Sequence, residues 1–121
     1  MILVDTSVWI EHLRVRHERL ATALEDGEVA MHPFVIGELA CGNLPNRAEL
    51  LRLWSRLPVT PIATTTEALE FIERRRLMGL GLGYVDVHLL VSVALDPGTK
   101  LWTGDKALAA AASRLGFGYH G

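Results

Sequence analysis

Several features that would place the chain quickly in a functional class are missing or scarce. Its 121 residues include one cysteine, Cys41, so no disulfide can close within the chain and no multi-cysteine zinc site is available. We interpret Cys41 as a small buried residue in a reducing compartment. No apolar run reaches the roughly 20 residues of a membrane span, because Asp86 and His88 interrupt the longest candidate, 79–95. The N-terminal apolar run contains Asp5 and has no basic lead-in, which argues against a signal peptide and predicts a cytoplasmic protein.

Common nucleotide-binding and nucleophile motifs are also missing. Gly79, Gly81 and Gly83 are spaced by two without a following Gly-Lys-Ser/Thr, so they do not form a phosphate-binding loop. Ser7 has no evident general base beside it in the sequence. A phosphoacceptor domain of the response-regulator kind needs an aspartate after its third strand, and no aspartate occurs between positions 26 and 86.

The charge is nearly balanced. Twelve Lys and Arg stand against 14 Asp and Glu, for a formal net charge of −2, whereas nucleic-acid-binding proteins usually carry a basic excess. The arginines nevertheless cluster within 14–19, 47–56 and 74–76. Contacts with a nucleic-acid backbone or an acidic partner are one interpretation of these clusters, and simple solvation is the other.

Predicted strands and helices alternate along the chain. Short apolar runs predict strands at 2–4, 29–31, 59–62, 100–103 and 117–119. Amphipathic or capped segments predict helices at 8–14, 18–25, 33–41, 47–57, 65–78, 84–95 and 106–115. This alternation is typical of a three-layer α/β fold with a mainly parallel sheet, here of four or five strands flanked by helices. Without repeats, low-complexity tracts or linkers, the sequence predicts a single domain over residues 1–121.

Four carboxylates fall at the junctions between these elements. Asp5 directly follows one predicted strand, and Asp105 follows another after a single glycine. Asp86 lies in the first turn of a predicted helix, and Glu38 lies about one turn into another. Ligands of open parallel sheets bind beyond the carboxyl ends of the strands. We therefore expect all four acids to face the same rim of the sheet.

Each acid also has a purely structural interpretation. Asp86 and Asp105 suit the capping of helices, and Glu38 suits the solvent face of an amphipathic helix. Asp5 is harder to explain in this way, because a carboxylate after a buried strand must be paired, capped or metal-bound to offset its desolvation. Its structural alternative is the capping of the helix that follows at Thr6 and Ser7.

The composition of the acidic set indicates which cation it would bind. Carboxylates with few histidine or cysteine companions suit Mg²⁺ or Mn²⁺, whereas Zn²⁺ favours nitrogen and sulfur ligands. A multi-carboxylate site that keeps a water molecule suits phosphodiester hydrolysis. The sequence thus predicts a Mg²⁺-dependent hydrolase in which Mn²⁺ can substitute.

Four motifs, in order along the chain, resemble those of PIN-domain proteins, and in particular the VapC-type toxins of type II toxin–antitoxin pairs. They are MILVDTSVWI at 1–10, HPFVIGEL at 32–39, GYVDVHLL at 83–90 and LWTGDK at 101–106. Together they cover essentially the whole chain. The resemblance implies a PIN-like fold and an endoribonuclease that depends on Mg²⁺ or Mn²⁺ and acts as a toxin.

The resemblance also implies roles for individual residues. Asp5, Glu38, Asp86 and Asp105 carry over as the acidic catalytic and metal-binding site, with Asp5 and Asp86 as the foremost direct ligands. Thr103 matches a hydroxyl position that supports the site, and Thr6 or Ser7 is a further candidate for that support. Some relatives carry one more acid near the last one, but Gly104 and Lys106 flank Asp105, so one or two bound metal ions are both consistent with the sequence.

The partners that the resemblance implies are an RNA substrate, a second copy of the chain in a homodimer, and a small cognate VapB-type antitoxin whose C-terminal segment lies over the active-site groove. No membrane partner is expected. The alternative function is a catalytically silent PIN-like module that binds RNA or protein. The complete set of four acids argues against that alternative.

Other prominent side chains have structural interpretations. We expect His88 to be a structural histidine, because it lies two residues past Asp86 and faces another side of the same helix. Trp9 and Trp102 are expected to pack in the core rather than to stack on bases. The apolar face that includes Trp54 fits either the interior of the monomer or a dimer interface.

Overall fold

The computed structural model describes residues 1–120, so Gly121, the last residue of the predicted domain, lies outside the described residues. Within this range the three strands are β1 (Ile2–Val4), β2 (Val29–Ala30) and β3 (Lys100–Trp102). The seven helices of the same range are α1 (Thr6–Arg14), α2 (Glu18–Glu25), α3 (Pro33–Ala40), α4 (Arg47–Ser55), α5 (Thr65–Arg75), α6 (Tyr84–Ala94) and α7 (Lys106–Arg114). In the described part of the chain, no helix combines the length and the apolar character that a membrane span requires.

The sheet is parallel, with the strand order β2-β1-β3. β1 lies in the centre and pairs Leu3 with Ala30 on one side and with Leu101 on the other. All three residues of β1 are buried, as expected for a strand of a parallel sheet whose two faces are covered by helices. Because β1 and β3 are neighbours that run in the same direction, Asp5 and Thr103 leave the sheet at the same edge.

The prediction of four or five strands is wrong, because the two outermost candidates form only single bridges. On one side Met31 is bridged to Val59. Its hydrogen bonds run from the Met31 N–H to the Pro58 carbonyl (2.8 Å) and from the Thr60 N–H to the Met31 carbonyl (3.0 Å). One further step of this ladder in either direction needs an N–H from Pro33 or from Pro58, and proline has none.

The candidate strand at 117–119 is likewise reduced to one parallel bridge, between Leu101 and Gly118. The N–H of Phe117 is not available to extend it, because it donates to the carbonyl of Ala112 (2.8 Å) at the end of α7. The hydrogen bond that ends α7 therefore prevents further strand pairing at this edge.

The tryptophans confirm the predicted core and decide, for Trp54 alone, between the interior and a dimer interface. Trp9 and Trp102 are buried, and the ring of Trp54, also buried, meets that of Trp9 edge to face at 5.8 Å. Trp54 therefore belongs to the interior of the monomer. Cys41, in contrast, was expected to be buried and is exposed, because it occupies the C-cap of α3, where the chain turns into a loop.

Candidate active site

Asp5 is the most buried of the four acids, with only 6% of its surface exposed. It directly follows β1 and occupies the N-cap position of α1, yet its side chain makes no capping hydrogen bond. Its Oδ2 instead accepts hydrogen bonds from the hydroxyls of Ser7 (2.8 Å) and Thr103 (2.7 Å). The capping interpretation of Asp5 is therefore wrong: the carboxylate is fixed by hydroxyls from α1 and from the end of β3.

These hydroxyls join the first and last motifs into one hydrogen-bonded unit. The backbone N–H of Gly104 donates to Ser7 Oγ (2.9 Å), and that of Asp105 donates to Thr103 Oγ1 (3.0 Å). The two hydroxyl oxygens lie 3.4 Å apart. Thr103, which the resemblance gives as a supporting hydroxyl, thus donates to Asp5, and Ser7 donates to the same carboxylate oxygen.

Glu38 reaches this edge from α3. Its Oε1 accepts a hydrogen bond from the hydroxyl of Thr6 (2.7 Å), the first residue of α1. The side chain is otherwise exposed. Thr6 and Ser7 thus divide the supporting role, since each hydroxyl holds a different carboxylate.

Asp86 and Asp105 both act as helix caps, as their structural interpretation predicted. Asp86 Oδ2 accepts from the N–H of Gly83 (2.9 Å) at the start of α6, and Asp105 Oδ1 accepts from the N–H of Leu108 (2.9 Å) at the start of α7. Each cap uses one carboxylate oxygen. Capping therefore orients both side chains and leaves the other oxygen without a hydrogen-bond donor among residues 1–120.

The electrostatics show that the four acids share one environment. The pKa of Asp86 is raised, first by burial and then by the negative charges of Asp5, Asp105 and Glu38, against a lowering effect of the Gly83 N–H. The two ion pairs of the described residues, Arg16–Glu18 and Arg74–Glu70, involve none of the four. The charge of the acidic set is thus not balanced by an ion pair within residues 1–120.

The acids come near one another without forming a finished coordination sphere. Among residues 1–120, no group of three or more Asp, Glu, His or Cys side chains is arranged to hold a metal ion. The chemistry of the donors nevertheless fits Mg²⁺ or Mn²⁺, since all are hard carboxylate oxygens. A divalent cation would also relieve the mutual repulsion of the acids, which adds to the effect of burial in raising the pKa of Asp86.

The two histidines of the motif segments lie together in the interior. His32 is fully buried and caps α3, where its Nδ1 accepts from the N–H of Phe34 (3.0 Å). His88 is buried against Phe34 and Tyr84, with ring centroids at 4.9 and 4.6 Å, and its ring lies 6.4 Å from that of His32. His88 is therefore a packed structural histidine, as predicted.

His32 should make the protein less stable in acid. Burial, helped by His88, lowers the pKa of His32 from 6.5 to about 4. Because the folded state resists protonation of this ring, its contribution is complete above pH 6.5 and is lost as the pH falls toward 4. At about 1.4 kcal/mol per pKa unit, the loss is at most about 3.5 kcal/mol. Urea unfolding between pH 7 and pH 4 should show a shallower pH dependence for His32→Phe than for the parent.

The exposed His120 provides the matched control for this measurement. His120→Phe should keep the pH dependence of the parent, because it replaces an exposed side chain and leaves the buried surroundings of His32 unchanged. If the free energy of unfolding of His32→Phe and of the parent changed with pH in parallel, the assignment to His32 would be wrong.

Comparison with known proteins agrees with this geometry. The family model described as PIN domain matches residues 2–113. Ribonuclease VapC32 from Mycobacterium tuberculosis, in strains CDC 1551 / Oshkosh and ATCC 25618 / H37Rv, is 53% identical over 116 residues, covering 96% of this chain and 94% of the relative.

A solved structure extends the likeness to the fold. The crystal structure of PAE2754 from Pyrobaculum aerophilum superposes with a TM-score of 0.60 at 21% identity, covering 91% of this chain and 78% of the other. At that identity the likeness concerns the architecture alone. Because the family model spans nearly the whole chain and VapC32 matches over the same length, this chain belongs to the PIN-domain family and to its VapC-type members.

Proposed function

We propose that this protein is a Mg²⁺-dependent endoribonuclease, with Mn²⁺ able to substitute, that acts as the toxin of a VapBC-type pair. The observation that carries the proposal is the meeting of Asp5, Glu38, Asp86 and Asp105 at one edge of the sheet, with the buried Asp5 held by Ser7 and Thr103. RNA as the substrate is supported by the name of the 53% identical relatives, which are ribonucleases.

The four acids divide the work in this proposal. Asp5 and Asp86 would hold the cation, and Glu38 and Asp105 would complete the coordination or orient the attacking water. A bound divalent cation supplies an activated water and neutralises charge that develops on the phosphodiester.

The surrounding hydroxyls and caps keep these acids in place. Ser7 and Thr103 fix Asp5 through one oxygen, Oδ2, and so present the other oxygen to the site. Glu38 is held at Oε1 by Thr6, which leaves Oε2 to accept a proton from the attacking water. Thr103 is thus a positioning residue that acts through Asp5.

The first experiment is cleavage of total cellular RNA by the purified chain. Discrete cleavage products should appear with Mg²⁺ or Mn²⁺, disappear with EDTA, and return when Mg²⁺ is added in excess over EDTA. Undiminished cleavage in EDTA would contradict the metal dependence. Intact RNA under every condition, although calorimetry shows Mg²⁺ binding, would favour the silent binding module.

The partners belong to the same proposal. We infer a homodimer and a small VapB-type antitoxin from membership in the VapC-type group, and the cytoplasm remains the predicted location. Light scattering should give a mass of about twice the 13.3 kDa of one chain, and a mass of a single chain would contradict the dimer. Added antitoxin should stop the cleavage of RNA, and cleavage that continued in its presence would contradict that pairing.

A further inference from the structure

A cleft extends from the acidic site along α1. It has a volume of about 310 Å³ and lies between the second half of α1 and the end of α3 with its following loop. The lining residues that matter here are Ile10, Leu13, Arg14, Asn43, Leu44 and Pro45. Glu38 lines this cleft and also accepts the hydrogen bond from Thr6 at the active edge, so cleft and acidic site are continuous.

The cleft contains one cationic side chain, Arg14, which lies on the last turn of α1. Arg14 lies eight positions after Thr6, which is about 12 Å along a helix. Arg14 is exposed and takes part in neither of the ion pairs found in residues 1–120. Its guanidinium is therefore available to an anionic group of a ligand that reaches out from the acidic site.

The opposite wall of the cleft is held in place. Arg47 donates two hydrogen bonds to the carbonyls of Ala40 and Gly42, at the end of α3. Carbonyls at a helix end that are satisfied in this way keep the loop in one conformation. The amide of Asn43 and the apolar side chains of Leu44 and Pro45 thus form a preorganised surface, which need not be ordered when a ligand binds.

We propose that this cleft binds one nucleotide of the RNA beside the scissile bond. The base lies between the apolar side chains of α1 and of the loop, where the Asn43 amide can bond its edge, and Arg14 contacts a phosphate outside the scissile one. We favour an RNA strand over a protein segment because the cleft shares Glu38 with the proposed site of phosphodiester cleavage and because Arg14, which is in no ion pair of residues 1–120, can contact a phosphate. This inference rests on the proposed ribonuclease function.

The test measures RNA binding without cleavage. The full chain carrying Asp5→Asn, checked for folding by circular dichroism, is titrated with a fluorescein-labelled single-stranded RNA of mixed sequence over a range of salt concentrations. Adding Arg14→Gln should weaken binding several-fold and flatten the dependence of log K on log salt by about 0.7, as expected for one lost phosphate contact on a single strand. Arg14→Lys should keep the salt slope.

Arg16→Gln is the matched control, because Arg16 already pairs with Glu18 (3.1 Å). It should leave the affinity and the salt slope unchanged. The apolar part of the cleft is tested by Ile10→Asp against Leu69→Asp, since Ile10 and Leu69 are similarly exposed, at 49% and 53%, and Leu69 lies on α5. Only Ile10→Asp should weaken binding of the RNA.

Each outcome bears on one part of the proposal. Equal binding by the Arg14→Gln and Arg16→Gln variants, or by the Ile10→Asp and Leu69→Asp variants, would overturn the nucleotide site. It would also be overturned if Arg14→Gln weakened binding of the antitoxin and left RNA binding intact, because the cleft would then be a protein site. The proposed function itself would fail if the Asp5→Asn parent bound no RNA and the wild type cut none. In that case no variant would differ from another in RNA binding.

Discussion

Asp5→Asn should lower the rate of RNA cleavage by at least about a thousand-fold while leaving the fold intact. Loss of a group that only supports a metal ligand costs about 10–100-fold, and Asp5 is proposed as a ligand itself. The asparagine amide oxygen can still accept the hydrogen bonds that Ser7 and Thr103 now donate to Oδ2. The variant therefore loses charge and metal affinity with little change in packing. Single-turnover cleavage of a labelled RNA at saturating Mg²⁺ measures the effect.

Asp96 offers a control with nearly the same local geometry. Its Oδ2 accepts a hydrogen bond from Thr99 Oγ1 at 2.7 Å, the distance at which Asp5 Oδ2 accepts from Thr103. Thr99, however, precedes β3, whereas Thr103 follows it. Asp96→Asn should therefore change the stability slightly and the cleavage rate hardly at all.

The comparison of these two variants tests the location of the site as well as the residue. Cleavage by Asp5→Asn at the rate of the parent would remove Asp5 from the metal site. An equal loss in both variants would point to a general effect of losing a hydrogen-bonded carboxylate. Metal binding by calorimetry, weakened only in Asp5→Asn, separates chemistry from folding.

Much of the site was predictable because its anchors are local. An aspartate after a buried strand and threonine or serine beside it are readable from the sequence, and the parallel sheet then fixes which ends meet. Asp5 and Thr103 follow neighbouring strands, so their side chains meet although 98 positions separate them. The alternation of elements predicted the parallel sheet, and the strand order that brings β1 beside β3 is seen in the structure.

The parts that were not predictable depend on tertiary context. Whether Asp5 caps α1 or turns toward β3 is decided by the hydroxyl of Thr103, which is remote in the sequence. The number of strands depends on register, because Pro33 and Pro58 end the ladder beside Met31 only when Met31 pairs with Val59. A proline in a sequence signals a break, but the position of the break follows from the pairing.

The cleft beside α1 is a second feature that depends on tertiary context and could not be predicted from the sequence. Arg14 was one member of an arginine cluster in the sequence, and solvation was an equal explanation for it. Folding distinguishes its members, since Arg16 is paired with Glu18 whereas Arg14 lines the cleft with Glu38. The role of Arg14 therefore depends on the residues that α3 and its following loop place beside it.

Asp86→Asn should have opposite effects on catalysis and on stability, because the carboxylate of Asp86 is proposed to bind the metal but lowers the free energy of unfolding. Cleavage should fall by at least about a hundred-fold, as a proposed metal ligand is lost. The metal-free protein, however, should become more stable near neutral pH. Burial and the charges of Asp5, Asp105 and Glu38 raise the pKa of Asp86, so holding it ionised costs free energy in the folded state. The asparagine removes that cost and can still accept from Gly83.

The sign of the pH dependence makes this prediction specific. A carboxyl whose pKa is higher in the folded state costs nothing at a pH below its unfolded value of 3.8, and the cost grows as the pH rises through the folded value. The stability gain of Asp86→Asn over the parent, from urea unfolding in EDTA, should therefore be larger at about pH 7 than at about pH 3. Added Mg²⁺ should stabilise the parent more than the variant, because only the parent keeps the full acidic site.

A variant less stable than the parent at neutral pH in EDTA would show that Asp86 serves α6 mainly as a cap. Full cleavage activity of the variant would remove Asp86 from the metal site.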